Sequence, residues 1–178
     1  MKHMEMGYEA AHGTAFLHGT AYVSFQELAT RVAHRNTGRA SGDPLCEQML
    51  ARVAKDENLH MIFYRNMVDA ALEVAPNETM RAITEVVKNF EMPGHGIEGF
   101  LRKSVIIANA GIYDLRLHHD DVVQPCLRKW RIWDREFTGD GAKARDELAE
   151  FVAALDDAAT KFETRREERR ARQAAKQK

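Results

Sequence analysis

The sequence predicts an all-α protein, a helical bundle, on three observations. Its 178 residues hold 4 prolines, Pro44, Pro76, Pro93 and Pro125, and Ala, Leu, Glu, Arg and Met fill the intervals between them. Within those intervals apolar residues recur at alternating steps of four and three, the repeat of an amphipathic helix. No stretch reads as a convincing strand.

Each element follows from punctuation. A first helix is expected over 14–37, ending before a turn at 38–43 that begins with Gly38. A second runs from Pro44, placed at the first helical position, to Val74. A short third fits 78–91. After Met92-Pro93-Gly94-His95 a fourth covers 97–118, and a fifth runs from about 120 to 136. Asp140-Gly141 then opens a charged helix from about 142. Nearly every residue of 161–178 is charged or small, which suits a solvated helix end or a disordered tail. Residues 1–4, Met-Lys-His-Met, look like an expression scar, leaving 5–160 as one helical domain.

Bulk composition excludes several classes. With 44% hydrophobic and 30% charged residues the chain supports one globular core. Lys plus Arg (26) balances Asp plus Glu (27), so no overall field favours nucleic acid or an anionic membrane. Cys46 and Cys126 lack Cys-x-x-Cys spacing and suit packing in a reducing compartment. No apolar run reaches the roughly 20 residues of a membrane span, and no signal-peptide core follows the start. A cytoplasmic protein is expected.

The candidate chemistry lies on the first two helices. Stepping by four and three through the second gives Cys46, Leu50, Val53, Glu57, His60, Tyr64, Met67, Ala71 and Val74; in the first it gives Phe16, Thr20, Val23, Glu27, Thr30 and His34. Glu27, Glu57 and His60 thus interrupt seams expected to face inward, although the stripe Ala21, Phe25, Leu28 and Val32 marks a second buried side of the first helix. Measured from Ser41, Glu27 and Glu57 lie roughly 21 and 24 Å along their helices, so antiparallel packing brings both carboxylates to one level. Ionised carboxylates in a core are costly unless compensated, most directly by a cation. A lone Glu-x-x-His recurs by chance; matched seam and height, with Glu27 as a second acid, make this one a candidate ligand set. Two carboxylates and one imidazole favour iron or manganese over structural zinc. This is half of the ligand set of a di-iron bundle, which takes a Glu from each of two helices and a Glu-x-x-His from each of the other two; no credible second set is found. His34 reads as a core histidine or a neighbour of the ligands. His118-His119 read as an exposed helix end or a surface metal pair, His95 as a turn residue, Met49, Met61 and Met67 as core filling, and Trp130 and Trp133 as packing at a helix junction.

Taken together, Ser24-Phe25-Gln26-Glu27-Leu28-Ala29-Thr30, His34-Arg35-Asn36-Thr37, Asp56-Glu57-Asn58-Leu59-His60 and Met92-Pro93-Gly94-His95 resemble the soluble acyl-carrier-protein desaturases of the stearoyl type, bacterial branch, in both order and spacing. Weaker similarity continues through Arg128-Lys129-Trp130. The resemblance corresponds to the C-terminal half or so of that family's domain. It implies an incomplete ferritin-like di-iron bundle, with Glu27, Glu57 and His60 as iron ligands, Thr30 on the oxygen side of the metals and Asp56 orienting a ligand histidine. The implied reaction inserts a cis double bond into an acyl chain on acyl carrier protein, using dioxygen and a ferredoxin-type electron donor. Arg102, Lys103, Arg128, Lys129 and Arg131 are candidates for meeting an acidic carrier protein, although a solvated helix face explains them equally well. Two other readings stand beside this one. The chain is a non-catalytic metal-binding scaffold that pairs two half-sites in a homodimer, or it is a helical fold that has lost its metal.

Overall fold

The computed structural model describes residues 16–92 and 95–176. The expected scar, the first two residues of the first helix, Pro93-Gly94 and the last two residues of the tail lie outside them. Every regular element among the described residues is helical.

Helices α1 (Phe16–Ser41) and α2 (Pro44–Val74) form a long hairpin. Gly42, at φ 66°, makes the turn. Asp43 caps α2: its carboxylate accepts from the backbone N–H of Leu45 (2.8 Å) and Cys46 (2.9 Å), and Pro44 follows at the first position. The second helix has the bounds expected from sequence. The first runs four residues past its expected end, because Gly38 does not terminate it. Gly38 lies buried in α1 where a Cβ would stand 3.0 Å from Glu47 Cα, so it permits close approach of the two helices.

Helix α3 (Pro76–Lys88) follows after Ala75 alone and is the best-buried element. Thr79, Met80, Ala82, Ile83, Thr84, Val86 and Val87 are buried because α3 packs between α1 and the long terminal helix. The core joins Phe25, Leu28, Val68, Leu72, Met80, Ile83, Val122, Leu127, Trp130 and Leu148. The expected helix over 97–118 is broken. Helix α4 (Phe100–Asn109) ends near Gly111 (φ 72°), and Asp114 accepts from Leu117 N–H to start a new element. Only Ala108 of α4 is buried.

The next segment runs through α5 (Leu115–Leu117), a π turn (His118–Val123) and α6 (Gln124–Lys129). Pro125 lacks an N–H for the carbonyl four residues before it, and Gln124 N–H reaches back five residues to His119, which widens this turn. The expected continuation to 136 stops at Arg131, whose φ of 51° ends the helix before a 3₁₀ turn (Ile132–Asp134). His118 and His119 are not exposed. His118 stacks on Phe90 (4.9 Å) with Nδ1 2.8 Å from the Tyr113 hydroxyl, and burial pushes its pKa down to about 4. His119 is buried, with Nδ1 2.6 Å from Asp120 Oδ1. Burial likewise pushes the free Cys126 thiol up to about 12.

Helix α7 (Gly139–Lys176) is continuous through the charged stretch read from sequence as a tail. Part of that stretch is docked: Arg166 pairs with buried Asp114 (2.7 Å) and donates to the Ala108 carbonyl, while Arg170 donates to Asn109. Charge density alone does not distinguish these anchors from solvated arginines. No helix among the described residues is long and apolar enough to cross a membrane.

Gly141 lies in the first turn of α7 against α3, and a Cβ there would lie 2.8 Å from Asn77 Cα. Asn77 already ties the two elements together, accepting from Thr138 N–H (2.9 Å) and donating to Thr138 Oγ1 (3.0 Å). Gly141→Ala is therefore expected to destabilise the fold by about 1–3 kcal/mol in urea denaturation, since the clash meets backbone. An unchanged midpoint would show that the two helix starts can separate at no cost.

Candidate metal centre

Within the α1–α2 hairpin, Glu27, Glu57 and His60 each offer one ligand atom, and these atoms lie within 4.8 Å of one another. The level match expected from helix rise is present because a two-residue connection holds α1 and α2 in register. His60 Nδ1 is 3.4 Å from Glu27 Oε2 and 3.6 Å from Glu57 Oε2. The other Glu57 oxygen, Oε1, is 3.6 Å from His34 Nε2. Glu57 thus stands between two imidazoles and beside a second carboxylate.

The inward placement expected from the seams requires correction. The core face of α2 is Ala54, Met61, Val68 and Leu72, about a quarter of a turn from the predicted stripe. Along the predicted seam Val74 is exposed, and the His60 side chain is 58% exposed. The carboxylates are better covered, with Glu27 at 14% and Glu57 at 19%. Met49 is exposed rather than core filling, whereas Met61 is buried. Both stripes of α2 are apolar, so periodicity alone does not choose between them. The cluster lies at the edge of the core and opens outward on the His60 side.

Thr30 Oγ1 donates to the Glu27 carbonyl (2.9 Å), a bond within the helix. Asp56 is exposed and hydrogen-bonds to neither histidine among the described residues. His95 pairs with Glu91 (3.1 Å) away from the cluster. The sequence reading passed over Glu9-Ala10-Ala11-His12, a second string with Glu-x-x-His spacing, which precedes the described residues.

Burial, followed by the hydrogen bond and charge of Glu57, pushes the Glu27 pKa up to about 7, against the opposing pull of His60. A carboxylate held protonated beside a second carboxylate and an imidazole fits a site that takes a cation in exchange for a proton. The donor set has the composition for iron or manganese.

Glu27's contribution to the stability of the metal-free protein is accordingly expected to fall as pH rises from about 4.5 to about 7 and to level off above, while His118, buried neutral, contributes in the opposite sense over much of that range. In that window the native Glu27 keeps a proton that the unfolded chain releases. Solvent access reduces the effect to the order of 1 kcal/mol. In urea melts at stepped pH, wild type should therefore lose stability relative to Glu27→Gln across this window, a difference from which His118 cancels. A difference that does not change with pH would mean that Glu27 holds no extra proton in the native state.

Sequence comparison relates the chain to known proteins. The profile of a family described as fatty acid desaturase matches residues 1–178. The chain is 51% identical over 154 residues to DesA1 of Mycobacterium tuberculosis, whose name provisionally assigns it as an acyl-acyl-carrier-protein desaturase; the match covers 86% of this chain and 46% of that protein. It is 30% identical over 162 residues to stearoyl-acyl-carrier-protein 9-desaturase 6, chloroplastic, of Arabidopsis thaliana, covering 85% of this chain and 40% of the relative. It is also 30% identical over 166 residues to acyl-acyl-carrier-protein desaturase 7, chloroplastic, of Oryza sativa subsp. japonica, covering 86% and 40%. The chain thus spans less than half the length of these relatives.

Proposed function

The chain belongs to the fatty acid desaturase family, and from that premise we propose that it is part of an acyl-acyl-carrier-protein desaturase in which Glu27, Glu57 and His60 hold iron. The observation that carries this reading is the convergence of three donor atoms from two helices within 4.8 Å. Iron held by these residues would supply dioxygen chemistry that removes hydrogens from adjacent carbons of an acyl chain, leaving a cis double bond and water, with electrons from a ferredoxin-type donor. This chain's residues supply the setting. Glu27 surrenders its proton on metal binding, Glu57 offers one oxygen beside His60 and the other beside His34, and His60 approaches through Nδ1. Thr30 and Asp56 are assigned, on resemblance, to positions beside the metals. A two-metal centre needs donors beyond these three.

Anaerobic loading with Fe(II), gel filtration and metal analysis test the reading: about one tightly held iron per chain is expected. Iron that washes off at neutral pH would overturn it. With iron bound, turnover of a stearoyl-type acyl carrier protein with reductant and dioxygen tests whether this chain is competent alone; a metal-loaded protein without alkene product would refute that competence.

A second reading draws on the apolar surface beside His60. Leu45, Met49, Leu59, Phe63 and Val74 are exposed on α2. In this reading the protein is a non-catalytic scaffold in which two copies cover that stripe and face their half-sites across a two-fold axis. Sedimentation at increasing concentration separates the two, since a strict monomer removes the scaffold.

A further inference from the structure

Away from the metal centre, Tyr113 and His118 form a matched proton donor and acceptor. The Tyr113 hydroxyl lies 2.8 Å from His118 Nδ1. A phenol O–H is a stronger acid than the N–H of a neutral imidazole, so the hydroxyl donates and Nδ1 accepts. The fold builds this contact: the Asp114 cap restarts the helix after Tyr113, and the π turn opens at His118. The His118 ring stacks on Phe90 at 4.9 Å and meets the Tyr113 ring at 6.1 Å, and Phe90 lies 5.7 Å from Tyr22 of α1. These four rings form a series that ends on the helix carrying Glu27, about 7.5 Å of helix rise from it. Other oxidisable rings are tied differently. The Tyr22 hydroxyl donates to the Glu91 carbonyl (3.0 Å) and the Trp130 indole N–H to the Arg65 carbonyl (2.9 Å), and an amide oxygen does not take a proton away.

We propose that Tyr113 and His118 are a redox pair, in which the phenol gives an electron to a one-electron oxidant while its O–H proton passes to His118 Nδ1. The O–H bond breaks and an N–H bond forms; the products are a neutral tyrosyl radical, an imidazolium and the oxidant reduced by one electron. An oxidised iron centre is the oxidant that the desaturase reading above would supply, and only the source of the oxidant rests on that reading. Neither half of the step is favourable alone. Burial, followed by the carboxylates of Asp114 and Asp121, holds the phenol above its ordinary range and opposes loss of the proton without the electron. Loss of the electron without the proton leaves a radical cation in half-buried surroundings. His118, with its pKa pushed down to about 4, is neutral at pH 7 and has room for the proton, and a phenol radical cation is a far stronger acid than that imidazolium. Asp114 and Asp121 then offset the positive charge of the oxidised pair. Return of an electron reverses each step, so the pair holds an oxidising equivalent and gives it back.

The test is photo-oxidation of the metal-free full chain by flash-generated tris(bipyridine)ruthenium(III). The chain has 4 tyrosines, and Tyr8→Phe, Tyr22→Phe and Tyr64→Phe leave Tyr113 as the single phenol. Electron paramagnetic resonance of the trapped sample should show a tyrosyl radical that is lost on adding Tyr113→Phe. His118→Phe, which keeps a ring against Phe90 but no base, should slow radical formation by roughly 100-fold. Deuterated solvent should slow it by about twofold or more, which a purely structural hydrogen bond does not do. The proposal is overturned if the single-phenol chain gives no tyrosyl radical, if its rate is the same in deuterated solvent, or if folded His118→Phe forms the radical as fast. Should His118→Phe fail to fold in its urea melt, the isotope effect alone decides. Because no metal is present, a negative result here leaves the desaturase reading standing, and a failure of iron loading leaves the redox pair standing.

Discussion

Trp130→Ala is expected to destabilise the protein by about 3–5 kcal/mol, among the largest effects of any single core substitution. Trp130 is fully buried and lies where the segment after the π turn meets the hairpin. Its ring meets Phe25 of α1 edge to face at 5.4 Å, and its indole N–H donates to the Arg65 carbonyl of α2 (2.9 Å). Its own carbonyl accepts from Arg135 Nε, whose guanidinium also pairs with Asp69 and Glu73 of α2. The substitution therefore opens a cavity and removes the indole donor that ties the segment to the Arg65 carbonyl, and the two costs add. Trp133, three residues on and 43% exposed, is the control. Trp133→Ala should lie within about 0.5 kcal/mol of wild type in the same urea series. Equal effects at both positions would mean that the 3₁₀ segment is not fixed by Trp130.

The contrast between the two tryptophans shows what the sequence carried. Both read as packing at a helix junction, and spacing gave no reason to rank them, because the left-handed Arg131 between them reorients the chain. Punctuation worked where a residue acts locally. Asp43-Pro44 encodes the start of α2 in its own side chains, and that start is where it was expected. It failed where the reason is a distant contact. Gly38 read as the start of a turn and Gly141 as the opening of a helix, yet each lies within a helix where a neighbouring backbone crowds the place of a Cβ. The docked arginines Arg166 and Arg170 were hidden in a stretch whose composition suits solvent equally well.

The candidate site was legible in part for a related reason. Helix rise is a property of the chain alone, so the level of Glu27 against Glu57 could be computed from a turn and two lengths. Which of two apolar stripes on α2 meets the core is a property of the assembled fold, and the four-and-three stepping selected the open one. The consequence is chemical. Two carboxylates on a partly solvated edge can both approach a cation without the full desolvation cost of a sealed core, while remaining close enough that Glu57 holds Glu27 toward its protonated form.

Glu57→Ala is therefore expected to act in opposite directions on stability and on metal. Iron affinity should fall by more than about 100-fold, because Glu57 is a proposed ligand itself, and loss of groups that merely orient ligands costs 10–100-fold. The metal-free protein should be as stable as wild type at pH 7 or gain on the order of 1 kcal/mol, since the substitution relieves the repulsion on Glu27. The loss of Glu27's contribution between about pH 4.5 and 7 should shrink with it. A carboxylate present only to hold the fold behaves otherwise: His34 and His60 would lose their shared partner, and stability would drop whether or not metal is added. His60→Ala separates the two cases again, since His60 is more than half exposed and bears little on the core. Iron binding should suffer with almost no change in the metal-free melt. If instead both variants keep their iron and lose stability, the cluster is a structural hydrogen-bond group, and metal must be sought on other residues of this family member.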